Sequence, residues 1–460
     1  MISHKNTEKS PPPAPTESAG SSKSGVSPTS LKNLAMKGSA WTMLDIVMGQ
    51  ALRFGGNIIL TRLLAPEAFG MMGIINALLT GLQMFSDVGL RPNIIQNRRG
   101  EEPIFLHTAW VIQIIRGILL ALIVAVLAWP LAILYKEPSL ILITSVAGIT
   151  AFIAGFHSTW LLVLDRRIAQ GKLTVLNLIS SVLKIGAMIL CAWYFPSVWA
   201  LVLGSFVGGT VRLIASHTIF AGIPMRFQWE PKTVHELIRF GRWMFISTAL
   251  GFLVTRFDIF IFGNFAGMAM LGFYTLAKNL SRLAIEAVTT FSSRILLPVY
   301  SRLAERNIEA LRSRTFKIRT ILLALFLPPL WVFILWGDHI VAFLYDERYQ
   351  EAGWMLQILA AGATATAIIT SIQPILLAVG DSFRHLLRTI ARVFFMIVGM
   401  SVGAYMGGIP GFIVGLALTD FLTYPVMVYL IRPYGVWLPK LDAVAFGTSF
   451  IVIGIAWWMN

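Results

Sequence analysis

Apolar residues run along this chain in blocks of about twenty, broken by short polar segments; strand-like alternation is absent. Blocks of membrane-crossing length fall at 38–61, 69–90, 105–129, 139–162, 173–194, 198–219, 241–263, 269–291, 318–337, 354–379, 386–406, 411–431 and 442–459. A helix rises about 1.5 Å per residue and a bilayer core is about 30 Å thick, so each block predicts one crossing. Backbone groups in lipid must pair internally, which makes each crossing a helix. The last block is short and stops at Asn460, so it counts either as a full span or as none. The predicted class is an all-α integral membrane protein of about twelve to fourteen helices.

The pattern occurs twice. Trp41 aligns with Trp243 and Gly70 with Gly272 at one common offset, without a gap, and the short breaks LLAPEAFG and FAGMAMLG align with them. Internal repetition fixes architecture before local detail does. It predicts an N-lobe over 38–219, a basic linker over 220–240, a C-lobe over 241–432 and an extra helix over 433–460. Helices 1 and 7 then cross in the same direction, so the six-helix lobes are related by a pseudo-twofold axis along the membrane normal. In transporters such repeats bracket a central path.

Charge sets the orientation. One set of loops carries Arg91, Arg98, Arg99, Arg166, Arg167, Lys172, Arg226, Lys232, Arg239 and Arg242. It continues through Arg302, Arg306, Arg312, Arg314, Lys317, Arg319, Arg384, Arg388, Arg432 and Lys440. The alternate set holds only Arg62, Lys136 and Arg348. Basic loops stay cytoplasmic, so the N-terminus is expected inside. Residues 1–37, with PPPAP, ESAGSSKSG and five lysines, read as a disordered cytoplasmic tail and not as a secretory signal. Trp41, Trp129, Trp193, Trp199, Trp243, Trp336 and Trp354 fall near span ends, as interfacial belts require.

Composition agrees: 56% hydrophobic and only 13% charged, where soluble domains carry about 25% charged residues. The net charge of +15 sits between apolar blocks, where it meets anionic lipid, so nucleic acid is not an expected partner. The lone Cys191 excludes a disulfide framework, and the seven scattered histidines offer no metal motif. No phosphate-binding loop of the G-x-x-x-x-G-K-[ST] type is present, so ATP hydrolysis is not expected.

The candidate chemistry lies in charges within the blocks. Arg53, Arg116, Lys184, Arg256, Lys278 and Arg282 are basic; Asp45, Asp87, Asp258 and Glu286 are acidic. Each costs about 2.5–3.5 kcal/mol at a helix centre, so they should face a shared interior. Asp87 and Asp258 lie near block ends, within reach of the interface. Asn76, Thr80, Gln83 and Asp87 fall on one helical face, as do Lys278, Arg282 and Glu286. Two roles fit: a cationic cavity for an anionic cargo, with acids tuning it or carrying protons, or an ion-pair network that braces the lobes, as Arg282 with Glu286 at i, i+4 would. Arg53, Arg116 and Lys184 lack a carboxylate three or four residues away and favour the first. No catalytic or metal-ligating set stands out.

The segments TRLLAPEAFGMMGIINALLTGLQMFSDVGL, FDIFIFGNFAGMAMLGFYTLAKNL, LLPVYSRLAERNIEALRSRTFKIRT and ILLAVGDSFRHLLRTI resemble bacterial polysaccharide exporters. These form the oligosaccharide-flippase branch of the multidrug/oligosaccharidyl-lipid/polysaccharide superfamily. The resemblance spans most of 34–432 and implies two lobes in a V, with movement of undecaprenyl-pyrophosphate-linked repeat units across the bacterial inner membrane for exopolysaccharide, capsule or O-antigen synthesis. Polysaccharide polymerase and co-polymerase are the implied partners, beside membrane lipids. No enzyme activity and no cofactor are expected; an H+ or Na+ gradient, or downstream consumption of cargo, would supply energy. Under this reading Arg53, Arg116, Lys184, Arg256, Lys278 and Arg282 meet the anionic cargo, and Asp45, Asp258 and Glu286 are the candidate coupling acids. A drug or lipid II exporter is the nearest alternative, and a polytopic polymerase or ligase the enzyme alternative. For the latter the loop with His339, Asp346, Glu347 and Arg348 is small.

Overall fold

The computed structural model describes residues 28–87, 89–292, 296, 300, 301 and 308–459. In order the helices are α1 (Pro28–Leu63), α2 (Pro66–Phe85), α3 (Leu90–Gln96), α4 (Pro103–Tyr135), α5 (Ser139–Gly155), α6 (Trp160–Arg166), α7 (Gln170–Tyr194) and α8 (Val198–His217). There follow α9 (Pro231–Ala266), α10 (Met268–Phe291), α11 (Ile308–Leu344), α12 (Ala352–Ile372), α13 (Pro374–Ala378), α14 (Ser382–Ile431) and α15 (Pro439–Met459). Each apolar block read from the sequence holds helix. The fourth block is α5 plus α6, bent by 64°. Blocks eleven and twelve are the two arms of α14, broken where Gly408 takes a positive φ of 59° ahead of Pro410.

Among the described residues, eight helices are long and apolar enough to cross a membrane by themselves, or nine with the bent pair. α1, α9 and α10 stand outside that set. They carry Asp45 and Arg53, Arg256 and Asp258, and Lys278, Arg282 and Glu286. The least lipid-compatible helices are thus the ones that hold most of the candidate residues.

Local chemistry sets the ends. Pro66, Pro103 and Pro231 open α2, α4 and α9 at the position where a missing N–H costs nothing. Gly267, at φ 80°, turns the chain from α9 directly into α10. Two boundaries differ from expectation. Residues 1–27 of the expected tail lie outside the described residues, and α1 already starts at Pro28; no proline or glycine interrupts the run between Pro28 and Gly38. The expected linker 220–240 is extended only to Glu230, because Pro231 starts α9 there.

That short linker is strapped to the N-terminal half. Arg99 donates to Glu230 at 2.8 Å and to Glu102 at 2.8 Å, His107 Nδ1 meets Gln228 Oε1 at 2.7 Å, and Phe227 packs on Trp110 at 5.0 Å. Hydrogen bonds from Thr233 and then Arg99 hold the Glu230 carboxyl below the usual carboxylate range. Trp41, Trp129, Trp193 and Trp336 are exposed, whereas Trp199 and Trp354 are half-buried. The Trp243 side chain lies outside the described residues.

The halves meet along α2, α9 and α10. A Cβ on Gly70 would stand 2.0 Å from the Met268 carbonyl oxygen, and one on Gly272 would stand 2.0 Å from the Pro66 carbonyl oxygen. Gly73 faces Thr275. The first two contacts exchange under the repeat offset and the third maps onto itself, as a twofold axis between α2 and α10 requires. Around this seam Tyr349 Oη donates to the Leu64 carbonyl at 2.8 Å, Arg348 to the Arg62 carbonyl at 3.1 Å, and Tyr135 Oη to the Phe260 carbonyl at 3.0 Å. Phe69 and Phe273, each next to one of the seam glycines, both set an edge against Tyr349 at 5.8 and 6.0 Å.

α15 docks on the C-terminal half through a buried ion pair between Arg319 and Asp442, with Arg319 0% exposed. This corrects the assignment of Arg319 to a loop: α11 extends through it, Asp442 neutralises it inside the protein, and Ser371 Oγ accepts a hydrogen bond from its Nε.

Candidate functional site

The helices enclose a cavity of several adjoining compartments, neighbours of which share lining residues such as Gln83, Arg212, Arg53 and Arg282. All nine candidate residues line it. Asp45, Gln50, Arg53, Asn177, Lys184 and Arg212 border a compartment of about 520 Å³ against α1, α7 and α8. Arg53, Arg256, Arg282 and Glu286 surround a middle compartment of about 250 Å³ roofed by Phe54 and Tyr345. A C-terminal compartment of about 370 Å³ is bordered by Asp258, Lys278, Arg282, Arg388, Arg392 and Asp420. Arg116 lies with Gln83 and Gln113 in the compartments that lead toward Asp87 and α3.

Periodicity explains the lining. Asn76 and Gln83 are exposed on α2, half of whose residues are buried, with Thr80 half-buried on the same face. On α10, Lys278, Arg282 and Glu286 occupy one stripe. The small residues Gly204 and Gly208 of α8 bring it close to the Lys184 turn of α7, where a Cβ on Gly208 would stand 2.9 Å from the Lys184 Cβ.

Asp45, Asp258, Glu286 and Asp420 each accept hydrogen bonds, although the buried Oδ1 of Asp258 has no partner among the described residues. Asp258 accepts from Lys278 and from the Tyr274 hydroxyl. Glu286 accepts from Arg282 at 3.3 Å and from Gln50, which itself accepts from Arg53 at 3.3 Å. Asp45 accepts from Asn177 at 3.1 Å, and Arg212 donates to Asn177 at 2.6 Å. Arg392 grips Asp420 with both nitrogens, at 2.7 and 2.8 Å, and Thr366 donates to the same carboxylate at 2.5 Å. Arg282 and Glu286 show the bracing arrangement foreseen for them: they pair along α10, and through Gln50 they also tie the two halves.

The basic groups are not all matched. Among the described residues Arg53, Arg116, Lys184, Arg212, Arg256 and Arg388 form no ion pair. Arg116 donates to Ser86 Oγ at 2.8 Å and to the Gln83 carbonyl at 2.7 Å, both neutral acceptors. Unpaired cations in a low-dielectric interior leave a positive potential that only an anion or water relieves.

Two expectations are corrected. Asp258 does not reach the interface; it is 2% exposed and locked to Lys278, because α9 runs past it to Ala266. Arg388 is not a loop charge; α14 starts at Ser382 and buries it beside the C-terminal compartment. Sequence reasoning passes over Arg212, Arg392 and Asp420, although each stands inside an apolar block. The rule that singles out Arg53 and Lys184 applies equally to them.

A helical membrane protein of two like halves around a charged cavity is a class with solved members. The fold is similar to that of the lipid II flippase MurJ in its inward closed conformation, with a TM-score of 0.69 at 15% identity, covering 92% of this chain and 93% of that one. It is similar also to an inward-facing multidrug resistance MATE family transporter of the MOP superfamily, at TM-score 0.66 and 15% identity, covering 85% and 95%. The sequence is more specific. Residues 59–353 match the family described as polysaccharide biosynthesis protein, and the chain belongs to that family. Similar relatives are the lipopolysaccharide biosynthesis protein WzxC of Escherichia coli K12, 20% identical with 89% of this chain and 85% of that protein covered, and the succinoglycan biosynthesis transport protein ExoT of Rhizobium meliloti, 22% identical with 86% and 80% covered.

Proposed function

We propose that this protein is a flippase that moves lipid-linked oligosaccharide repeat units across the bacterial inner membrane for assembly into a surface polysaccharide. The observation that carries it is the surplus of unpaired cations around the cavity, Arg53, Lys184 and Arg256 foremost, in a chain of this family. A pyrophosphate between a sugar and a polyprenol matches such a surface, and Arg forks hold phosphate oxygens in pairs. The names of WzxC and ExoT support a polysaccharide cargo, and the likeness to the lipid II flippase supports a lipid-linked one.

The basic loops favour a cytoplasmic N-terminus. The α2–α10 seam is then the outer seal, and the cavity receives cargo from the cytoplasm. Rocking of the halves about the twofold axis would open the seam and release cargo outside. Asp45, Asp258 and Glu286 are the candidate acids for H+ or Na+ coupling. Of these Glu286 is best placed, because it bonds to both halves through Arg282 and Gln50.

A charge-removal series tests this. Arg53→Ala, Lys184→Ala and Arg282→Ala should each lower surface polysaccharide at normal protein abundance, by about tenfold when cargo is limiting, since a charge-assisted hydrogen bond contributes about 1.5–3 kcal/mol. Three variants that export like wild type would overturn the cationic path. Normal polysaccharide in a deletion strain with altered drug tolerance would instead favour a drug exporter, and export of single unpolymerised units would favour a polymerase.

A further inference from the structure

We infer that the C-terminal compartment holds a second anion subsite, centred on Arg388, that takes one carboxylate- or phosphate-type group at a distance from the pyrophosphate. The inference deepens the flippase reading and rests on it.

Arg388 is 7% exposed, on the first turns of the α14 arm that walls the compartment. A guanidinium has five N–H donors and no acceptor. Among the described residues its one hydrogen bond is a long one, 3.4 Å from Nη2 to the hydroxyl of the adjacent Thr389. Its Nε is buried and has no partner among the described residues. The carboxylates nearby pair with other groups: Asp420 with Arg392 and Thr366, Glu286 with Arg282 and Gln50, and Asp258 through Oδ2 with Lys278 and Tyr274. The buried Oδ1 of Asp258 has no partner among the described residues, and none of the three forms an ion pair with Arg388. Among the described residues Arg388 is therefore a charge with no ion-pair partner, beside about 370 Å³ of space. Burying such a group costs several kcal/mol unless something completes it.

The surroundings limit what completes it. Thr366, Thr370, Gln373 and Thr419 border the same space and offer neutral hydrogen bonds, as hydroxyl-rich ligands need. Arg392 stands one turn further along α14 but already faces Asp420 in a two-point grip. One free guanidinium fits one singly charged oxyanion. An acidic sugar of the repeat unit would supply it while the pyrophosphate lies at Arg53, Arg256 and Arg282; an anionic lipid headgroup carries the same chemistry.

Full-length protein in nanodiscs separates these cases. The probe is a glucuronate-containing tetrasaccharide, compared with its neutral methyl ester, with binding read by thermal shift and calorimetry. In phosphatidylcholine discs the acid should bind and the ester should not. Arg388→Gln should weaken the acid about ten- to hundredfold, and Arg388→Lys should keep part of it. Binding that is lost only when phosphatidylglycerol replaces phosphatidylcholine would keep the subsite and assign a lipid phosphate as its occupant. Acid binding unchanged in Arg388→Gln, or no Arg388-dependent effect of either the acid or phosphatidylglycerol, would overturn the subsite. If surface polysaccharide also persists in the Arg53, Lys184 and Arg282 series, the transport reading falls as well; if that series fails to export, only the subsite falls.

Discussion

Arg319→Met will deplete folded protein from the membrane more than loss of any cavity charge, and Arg319→Met combined with Asp442→Leu will restore much of it. Arg319 and Asp442 are 0% and 2% exposed at their side chains, away from the cavity compartments. Arg319 Nε donates to Ser371 Oγ at 3.0 Å, Tyr424 Oη donates to Asp442 at 2.8 Å, and Trp437 Nε1 donates to Tyr424 Oη at 3.3 Å. Removing one partner strands the other charge, at about 3–5 kcal/mol, whereas apolar replacement of both is often neutral. Against a total stability of about 5–15 kcal/mol the single change is severe. Melting followed by size-exclusion chromatography of the detergent-solubilised protein measures it. Single variants that melt with wild type would show that α15 is held by apolar packing alone.

This pair also marks where the sequence is hard to read. Arg319 stands next to a run of loop arginines, so charge counting places it with them. What draws it inside is a partner 123 residues away on the final helix. Arg388 is hidden in the same way, two residues into a block and next to basic neighbours. The helical blocks and the charges inside them are legible because long apolar runs declare themselves by length, although among the described residues α1, α9 and α10 are not apolar enough to count as crossings by that measure. A charge inside one has few places to face. Pairing is not legible, because it depends on which helix turns lie opposite each other. Asp258 shows this: its partner Lys278 sits on the following helix, twenty residues on, while its chain neighbour Arg256 points into a different compartment. The Asp420–Arg392 grip escapes for a plainer reason, since both residues satisfy the rule already applied to the others.

Gly70→Ala and Gly272→Ala should each hold the seam open and stop export, with closely similar effects. Both glycines face backbone: an added methyl would stand 2.0 Å from the Met268 or Pro66 carbonyl oxygen, so no side-chain rotation makes room. Overpacking of a rigid contact costs about 1–3 kcal/mol, and each 1.4 kcal/mol shifts a two-state population about tenfold. That penalty falls only on the closed seam, so the equilibrium moves toward the form open at that end. Gly73→Ala should act more mildly, because its obstacle is the Thr275 hydroxyl at 2.9 Å, which can turn. Gly49→Ala, with nothing within 4 Å, is the neutral control. The readout is a single cysteine at Tyr345, at the roof of the cavity, in a Cys191→Ser background. A membrane-impermeant maleimide added outside should label it about tenfold faster in Gly70→Ala and Gly272→Ala than in Gly49→Ala. Equal labelling across the three would mean that the seam does not limit access. Labelling raised by Gly70→Ala but not by Gly272→Ala would break the twofold relation, because under that relation each glycine meets the same obstacle supplied by the other half.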